Sequence, residues 1–299
     1  EVEKMTPKQF LDLVEIRVVI PSVAPLMVGL AYSQWQYGRL NWTNALLLII
    51  ATVCVHLAVN TFNRYEDSKR QKENEFLREA AQGEVISNKQ VLYVAAGLAL
   101  IAAIAGVVVA VRTDYVTWII GIVSFVIGYL YSAGPKPITN TPFGEIVSGI
   151  TMGYFIFVAQ VYVNTRMVPM PSVLWQWFVV SLPLTVFIAE IMLANNIADH
   201  AEDERNNRHT IVHYTGIAAA KKLYLFWAIL AVVALLIVTY VGWLPVTSYA
   251  IIILLPLIIS NARHFTARPI KKETFILAIK NLIIVMLGMT VAILAGILI

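Results

Sequence analysis

The chain has 299 residues, of which 59% are hydrophobic and 13% charged, and its formal net charge is +4. A soluble domain is nearer half apolar and a quarter charged, so this composition excludes a disordered chain, a nucleic-acid-binding module and an ordinary cytosolic enzyme. A membrane helix needs roughly 20 mostly apolar residues, and the apolar content suffices for about nine such helices. The single cysteine, Cys54, excludes a disulfide framework and a cysteine metal cluster.

Apolar segments follow one another along the chain and predict an all-α, polytopic membrane bundle of nine transmembrane helices. None of the segments alternates in the way that membrane barrel strands do. We expect one transmembrane domain over 1–299, with polar cap loops at about 63–89 and 199–219. The nine segments lie at about 15–36, 42–63, 90–111, 114–132, 143–163, 173–198, 220–242, 245–262 and 275–299.

The positions of lysine and arginine predict the orientation of the bundle. With nine spans and a cytoplasmic N-terminus, 18 of the 22 basic residues fall on the cytoplasmic side and three on the opposite side, while Lys280 lies inside the last span. Cytoplasmic loops of membrane proteins carry an excess of lysine and arginine. We therefore expect a multi-pass protein of the cell membrane whose cap loops, and whose active site, face the cytoplasm.

Two matched motifs of the form N-x-x-x-D stand at the cytoplasmic ends of the second and sixth segments. Residues four apart lie on one face of a helix, so each motif lines up amide and carboxylate groups at the membrane surface. The motif residues are Asn63 and Asp67 after the second segment and Asn195, Asn196, Asp199 and Asp203 after the sixth.

Amide and carboxylate oxygens are hard ligands of the kind that Mg²⁺ takes, usually one or two carboxylates with phosphate oxygens and water. Two such motifs that face each other would hold a diphosphate through bridging metal ions. Basic side chains nearby would donate charge-assisted hydrogen bonds to the same phosphate oxygens. The basic residues expected in this role are Lys69, Arg70, Arg78, Lys136 and Arg208.

At these residues the sequence resembles the UbiA superfamily of intramembrane prenyltransferases, and the resemblance extends over essentially the whole chain. The stretches that carry it are NTFNRYEDSKR, YSAGPKPITNTPFGEI and LANNIADHAEDERNNRHT. Within the superfamily the chain is most similar to the branch that prenylates 1,4-dihydroxy-2-naphthoate in menaquinone synthesis. The last stretch is the most specific, because that branch follows its second motif with a basic residue and threonine, here Arg208 and Thr210.

The resemblance implies a Mg²⁺-dependent enzyme, with Mn²⁺ able to substitute. It would transfer a polyprenyl group from a polyprenyl diphosphate to 1,4-dihydroxy-2-naphthoate, which loses its carboxylate and gives demethylmenaquinone. Asp67, Asp199 and Asp203 are the expected catalytic carboxylates. The lipid bilayer is the expected surroundings, with no nucleic acid and no obligate protein partner.

The first motif departs from the related branch at Gln71 and Glu73, where that branch has glycine and aspartate. Glu73 is the expected outer metal ligand. Because it lies six positions after Asp67, a helix would place the two on different faces, so the chain must leave the helix between them. The alternative is that Glu73 is a solvated loop residue and that Asn63 and Asp67 alone bind metal from this motif.

The allylic cation that forms when the diphosphate leaves needs a dry pocket with aromatic walls. Tyr65, Tyr129 and Tyr131 are the candidates by position, although aromatic residues at membrane interfaces also form belts. Arg17 or Lys136 would hold the carboxylate of the acceptor, and the sequence does not choose between them.

Two further functions stay open. Another UbiA-type acceptor is possible, such as 4-hydroxybenzoate, homogentisate, a porphyrin-derived ring or a glycerol phosphate. A secondary transporter would also be a polytopic bundle, but transporters concentrate ionisable groups near the bilayer midplane, and midspan charge is limited here to Glu190 and Lys280.

Overall fold

The computed structural model describes residues 5–70 and 86–299, without the side chains of Arg17 and of residues 67–70. Within this part of the chain all regular structure is helical. The helices are α1 (Pro7–Leu13), α2 (Ile20–Tyr37), α3 (Trp42–Arg70), α4 (Asn88–Arg112), α5 (Tyr115–Ser132), α6 (Gly144–Thr165), α7 (Pro171–Ala198), α8 (His200–Arg205), α9 (Ile211–Thr215), α10 (Ile217–Tyr240), α11 (Val246–Ala267) and α12 (Ile276–Ala295).

Eight helices in the described ranges are long and apolar enough to cross a membrane: α3, α4, α5, α6, α7, α10, α11 and α12. The prediction of an all-α membrane bundle is confirmed. The first predicted segment corresponds to α2, which has 18 residues but is not among those eight. The count of nine spans and the cytoplasmic N-terminus therefore stay predictions.

Helix α7 lies at the centre of the bundle. It packs against α6, α10 and α12, and α2 closes the group by packing against α6 and α12. The buried side chains of this core include Trp177 and Leu184 of α7, Phe157 of α6 and Tyr224 of α10. Lipid tails are as apolar as these side chains, so membrane helices associate through close van der Waals packing. Helix α7, which carries the second motif at its C-terminal end, is packed in this way on several sides.

Glycine lets α6 approach α7 backbone to backbone. Residues Gly149–Phe155 of α6 form a π-helical turn, a local widening that is frequent at functional sites. A Cβ atom on Gly153 would lie 2.4 Å from Cα of Thr185 on α7, which no real contact allows. The absence of a side chain on Gly153 therefore sets the spacing of α6 and α7 near the end where their polar residues meet.

The boundaries of two predicted segments differ from the helices. The first predicted segment begins at about 15, but no helix runs through Glu15. This residue lies between α1 and a short 3₁₀ turn and has a φ of +52°. The second predicted segment ends near 63, but α3 continues to Arg70, and four of the seven residues that follow, two arginines and one each of glutamate and lysine, are good helix formers. The loop predicted at 199–219 contains the short helices α8 and α9.

The connections of the bundle gather at two ends. At one end, Asn41 and Asn44 contact Asn164 and Val163 of α6. At the other end lie the C-terminal parts of α3, α5, α7 and α11, together with the beginnings of α6, α10 and α12. We call this second end the motif end, because both N-x-x-x-D motifs lie on helices that terminate there.

Candidate active site

The two carboxylates of the second motif stand one helical turn apart. Asp199 separates α7 from α8, and the backbone N–H of Asp203 donates to the backbone oxygen of Asp199 at 2.9 Å. This bond is the helical i to i+4 relation, which puts the two side chains on one face. The spacing in the sequence therefore predicted their alignment correctly, and we call this pair the acidic face.

Asp203 is the more buried member of the acidic face, with only 3% of its surface exposed. Its Oδ1 lies 3.5 Å from Nε of Arg208, whereas Oδ2 is buried without a hydrogen-bond partner among the described residues. Burial raises the pKa of this carboxyl to about 7, although the nearby cations Arg208 and Lys271 oppose the shift. A buried oxygen without a donor is the kind of atom that a metal ion satisfies.

A tight turn brings Arg208 back to the acidic face. Helix α8 ends in a Schellman turn, in which the N–H of Arg208 donates to the oxygen of Asp203 and the N–H of Asn207 to that of Glu204. Asn207 takes the left-handed position of this turn, with a φ of +54°. The Arg208 guanidinium then donates to Oγ1 of Thr139 in the α5–α6 connection at 2.9 Å, and so joins two segments of the motif end.

Lys271 is a member of this site that the sequence analysis did not single out. Its ammonium group donates to Oδ2 of Asp199. Lys271 lies in the connection between α11 and α12, 72 residues away in the chain. The only signal in the sequence was a group of basic residues after the eighth apolar segment, which the orientation rule already explained.

Asn196 makes a contact that the sequence did not predict. Its Nδ2 donates to Oε1 of Glu145 at the beginning of α6, at 2.7 Å, and both side chains are buried. The amide nitrogen is therefore occupied by a structural partner, and Asn196 ties α7 to α6 beside the acidic face. Asn195 is half-buried, and its backbone oxygen accepts the N–H of Asp199 at 2.9 Å.

The first motif lies on α3, where Asn63 is half-buried. Helix α5 bridges the two motif helices. Tyr129 stacks on Phe62 of α3 with ring centroids 6.1 Å apart, and Tyr131 donates a hydrogen bond to Sδ of Met192 on α7 at 3.8 Å. Phe62 precedes Asn63 directly, and Met192 stands one turn before Asn195 and Asn196. The side chains of Asp67, Lys69 and Arg70, and residues Glu73 and Arg78, lie outside the described residues.

The three predicted aromatic residues form two groups. Tyr65 and Tyr129 both stack on Phe62, at centroid distances of 6.2 and 6.1 Å. Tyr131 instead turns toward α6 and α7, and its hydroxyl accepts from Ser148 at 3.1 Å. Of the two residues proposed to hold the acceptor carboxylate, Lys136 is exposed in the α5–α6 connection, and the side chain of Arg17 lies outside the described part of the chain.

Glu204, next to Asp203, faces a different partner. Its Oε1 accepts from Nδ1 of His213 at 2.6 Å, and this hydrogen bond lowers the pKa of the Glu204 carboxyl. Glu204 is therefore a carboxylate of the same short helix that does not belong to the acidic face.

Within the described ranges, no group of three or more histidine, cysteine, aspartate or glutamate side chains is arranged to hold a metal ion. A Mg²⁺ ion that is shared with phosphate usually takes one or two carboxylates from the protein and binds phosphate oxygens and water at its other positions. The acidic face supplies two carboxylates. The unpartnered Oδ2 of Asp203 is an oxygen that such an ion would satisfy.

The sequence matches the UbiA prenyltransferase family over residues 22–282. It is 31% identical over 205 residues to a protein named 1,4-dihydroxy-2-naphthoate octaprenyltransferase of Bacillus subtilis (strain 168), an alignment that covers 68% of this chain and 64% of the relative. It is 25% identical over 213 residues to the protein of the same name in Mycobacterium tuberculosis, covering 70% of each. The chain thus aligns with less than two thirds of the Bacillus relative.

Solved structures share the fold over nearly the whole chain. A UbiA homologue from Archaeoglobus fulgidus bound to GPP and Mg²⁺ superimposes with a TM-score of 0.66 at 16% identity, covering 97% of this chain and 100% of that one. A UbiA homologue from Aeropyrum pernix K1 gives a TM-score of 0.70 at 16% identity, covering 92% and 98%.

Proposed function

The chain belongs to the UbiA prenyltransferase family, and from this premise we propose that it transfers a polyprenyl group from a polyprenyl diphosphate to 1,4-dihydroxy-2-naphthoate. The allylic C–O bond of the donor breaks and diphosphate leaves. A new C–C bond forms to the electron-rich ring, which releases its carboxylate as CO₂ and gives the quinol of demethylmenaquinone.

One observation carries the proposal. Asp199 and Asp203 stand one turn apart at the end of the central helix, and a buried oxygen of Asp203 has no hydrogen-bond donor among the described residues. Arg208 lies beside Oδ1 of Asp203, and Oδ2 is left for a second cation. The acceptor is supported by the 1,4-dihydroxy-2-naphthoate octaprenyltransferase of Bacillus subtilis, which is 31% identical to this chain over the aligned part.

Asn63, Asp67, Glu73 and the second motif are the residues that would hold Mg²⁺, with Asn196 positioned by Glu145. The ion would neutralise the charge that develops on the leaving diphosphate. Arg208 adds a guanidinium group, which matches phosphate oxygens in two parallel hydrogen bonds, and its contact with Thr139 holds it in place. Charged groups fixed in advance around a developing charge usually contribute more to catalysis than any other single effect.

The site is proposed to lie at the cytoplasmic surface of the cell membrane. The basic residues predict this orientation. A donor with an anionic head and an apolar tail suits a position where the acidic face meets the membrane surface. The three tyrosines of α3 and α5 would line the path of the allylic chain, since Tyr65 and Tyr129 share an aromatic cluster with Phe62.

The test uses the purified chain in detergent with Mg²⁺, a polyprenyl diphosphate and a panel of acceptors, with products identified by mass. We expect one prenylated product, formed from 1,4-dihydroxy-2-naphthoate with loss of CO₂. Chelation by EDTA should abolish turnover, and Mg²⁺ or Mn²⁺ should restore it. A product from another ring would change the acceptor only, whereas no product from any acceptor would refute a prenyltransferase.

Variants of the carboxylates test the site itself. Asp67→Asn, Asp199→Asn and Asp203→Asn keep the side-chain shape but remove the charge, and each should lower kcat at least about a hundredfold, since they withdraw electrostatic stabilisation from the leaving group. Glu204→Gln is the matched control, because Glu204 lies on the same short helix but binds His213, and it should keep near wild-type turnover. Near wild-type turnover in any aspartate variant would remove that residue from the site.

A further inference from the structure

The connection between α11 and α12 brings a cation to the acidic face. The Lys271 ammonium group donates to the Asp199 carboxylate. The side chain of Lys271 is 48% exposed and that of Asp199 13%, so the pair lies where the acidic face opens to solvent. A charged ligand that arrives from solvent therefore meets this pair before it meets the buried Asp203.

One buried hydroxyl group orders this connection. Oγ1 of Thr274 donates to the backbone oxygen of Arg268 at 2.7 Å and accepts the backbone N–H of Ile270 at 3.0 Å. The N–H of Thr274 returns to the oxygen of Ile270 at 2.8 Å. These bonds close a tight turn around Lys271, so its backbone is fixed and motion is left to the four-carbon side chain.

The two carboxylates of the acidic face have cations of different kinds. Arg208 beside Asp203 is anchored by the Schellman turn and by Thr139, which makes it a fixed neighbour. Lys271 beside Asp199 is a compact charge on a flexible stem. The lysine can therefore change partners by side-chain rotation alone, whereas the arginine would have to give up its hydrogen bond to Thr139.

We propose that Lys271 is a diphosphate-binding residue that exchanges partners: it holds Asp199 in the free protein and binds the donor diphosphate once Asp199 has taken a divalent cation. The inference rests on the proposed function, which supplies the diphosphate. The oxygen of Asp199 that accepts from Lys271 is also a hard ligand for Mg²⁺, so the two cations compete for it. Like-charge repulsion then turns the ammonium group outward, where phosphate oxygens accept its hydrogen bonds.

This exchange predicts two effects of opposite sign when the ammonium group is removed. Loss of the competitor for Asp199 strengthens the binding of Mg²⁺ when diphosphate is absent. Loss of the donor weakens the binding of diphosphate when Mg²⁺ is saturating. A lysine that only fastens the α11–α12 connection to α8 would change thermal stability without this opposed pair.

The test compares Lys271→Met with the wild-type protein in detergent by isothermal titration calorimetry. We expect Mg²⁺ alone to bind about threefold more tightly, the scale of a partly exposed ion pair. Inorganic diphosphate at saturating Mg²⁺ should bind about tenfold more weakly, the scale of one hydrogen bond between charged groups. Lys271→Arg keeps the charge and should recover most of the diphosphate affinity.

Arg268→Met is the matched control. Arg268 belongs to the same connection and carries the same charge, but its guanidinium pairs with Glu273 at 3.6 Å, so both affinities should stay at wild-type values. If Lys271→Met unfolds, Lys271→Gln takes its place, because the neutral amide also removes the ammonium charge, and the same opposed pair of effects is expected.

The outcomes separate this inference from the proposed function. If the wild-type protein binds both ligands and Lys271→Met changes neither affinity, the proposed exchange is wrong and the proposed function stands. Weaker Mg²⁺ binding in Lys271→Met also overturns it, because the lysine would then assist the ion. Wild-type protein that binds neither Mg²⁺ nor diphosphate overturns both.

Discussion

Asn207 has a backbone conformation that few side chains accept. It is one of three non-glycine residues with a positive φ in the described chain, and it closes the turn that returns Arg208 to Asp203. Asparagine tolerates this left-handed region better than other residues except glycine. The φ of +54° therefore gives the physical reason why asparagine, and equally glycine, suits this position.

Asn207→Gly should therefore keep the turn and both the stability and the diphosphate affinity of the protein. Asn207→Val should destabilise the turn by roughly 1–2 kcal/mol, the cost of a left-handed conformation for a residue with a Cβ, and it should weaken diphosphate binding as Arg208 moves. Asn206→Val, one residue earlier at a φ of −94°, is the control. Thermal unfolding and diphosphate titration compare the stability and the diphosphate affinity of the variants. If the two valine variants behave alike, the left-handed conformation of Asn207 is not what matters.

The geometry of the motif end depends on the contact between helices α6 and α7. Gly149 and Gly153 let the helices touch, with no room for a Cβ on Gly153 against Thr185. The same pair of helices carries Glu145 and Asn196, whose hydrogen bond lies beside the acidic face. A change in the helix spacing is therefore transmitted to the second motif, because closely packed interiors transmit strain.

Gly153→Ala should destabilise the protein by about 1–3 kcal/mol, the usual cost of overpacking, and lower turnover as the Glu145–Asn196 contact opens. Gly121→Ala on α5 is the control, since its Cβ meets nothing within 4 Å and alanine is the better helix former by up to about 1 kcal/mol. Melting temperatures in one detergent compare them. A Gly153→Ala variant as stable as Gly121→Ala would mean that the helices can separate freely.

At the scale of the whole molecule, every described contact of the second motif lies at one end of the bundle. Lys271 joins the α11–α12 connection to that end, Arg208 joins the α5–α6 connection to it, and Asn196 joins the beginning of α6 to it. The opposite end is closed by separate contacts, such as Asn41 with Asn164. The motif end thus carries both the acidic face and its basic partners, whereas the described contacts at the opposite end hold helices together. The orientation in the membrane decides which compartment supplies the polar substrates.

The orientation can be measured with single cysteines in a Cys54→Ser background. Ser68→Cys and Asn206→Cys report on the motif end, and Val168→Cys, whose native side chain is 69% exposed, reports on the other. An impermeant thiol reagent should label only position 168 in intact cells and only positions 68 and 206 in inverted vesicles. The reverse pattern would place the motif end outside and contradict the distribution of basic residues.

The sequence by itself determined the features that depend on local geometry. Composition and apolar segments specify a helical membrane bundle, because the bilayer requires about 20 apolar residues per helix. The spacing of Asp199 and Asp203 specifies a shared face, because residues four apart align in any helix. These inferences need no knowledge of neighbouring helices, and the structure agrees with both. Matched stretches of sequence also identified the family.

Only the tertiary structure decided which side chains complete the site. Lys271 meets Asp199 across 72 residues, Arg208 meets Thr139 across 69, and Asn196 meets Glu145 across 51. No periodicity in the sequence encodes these pairs, because they depend on how helices pack and on close approaches such as that of Gly153 to Thr185. Local rules place a residue on a helix face, and only the packing of the helices determines what that face contacts.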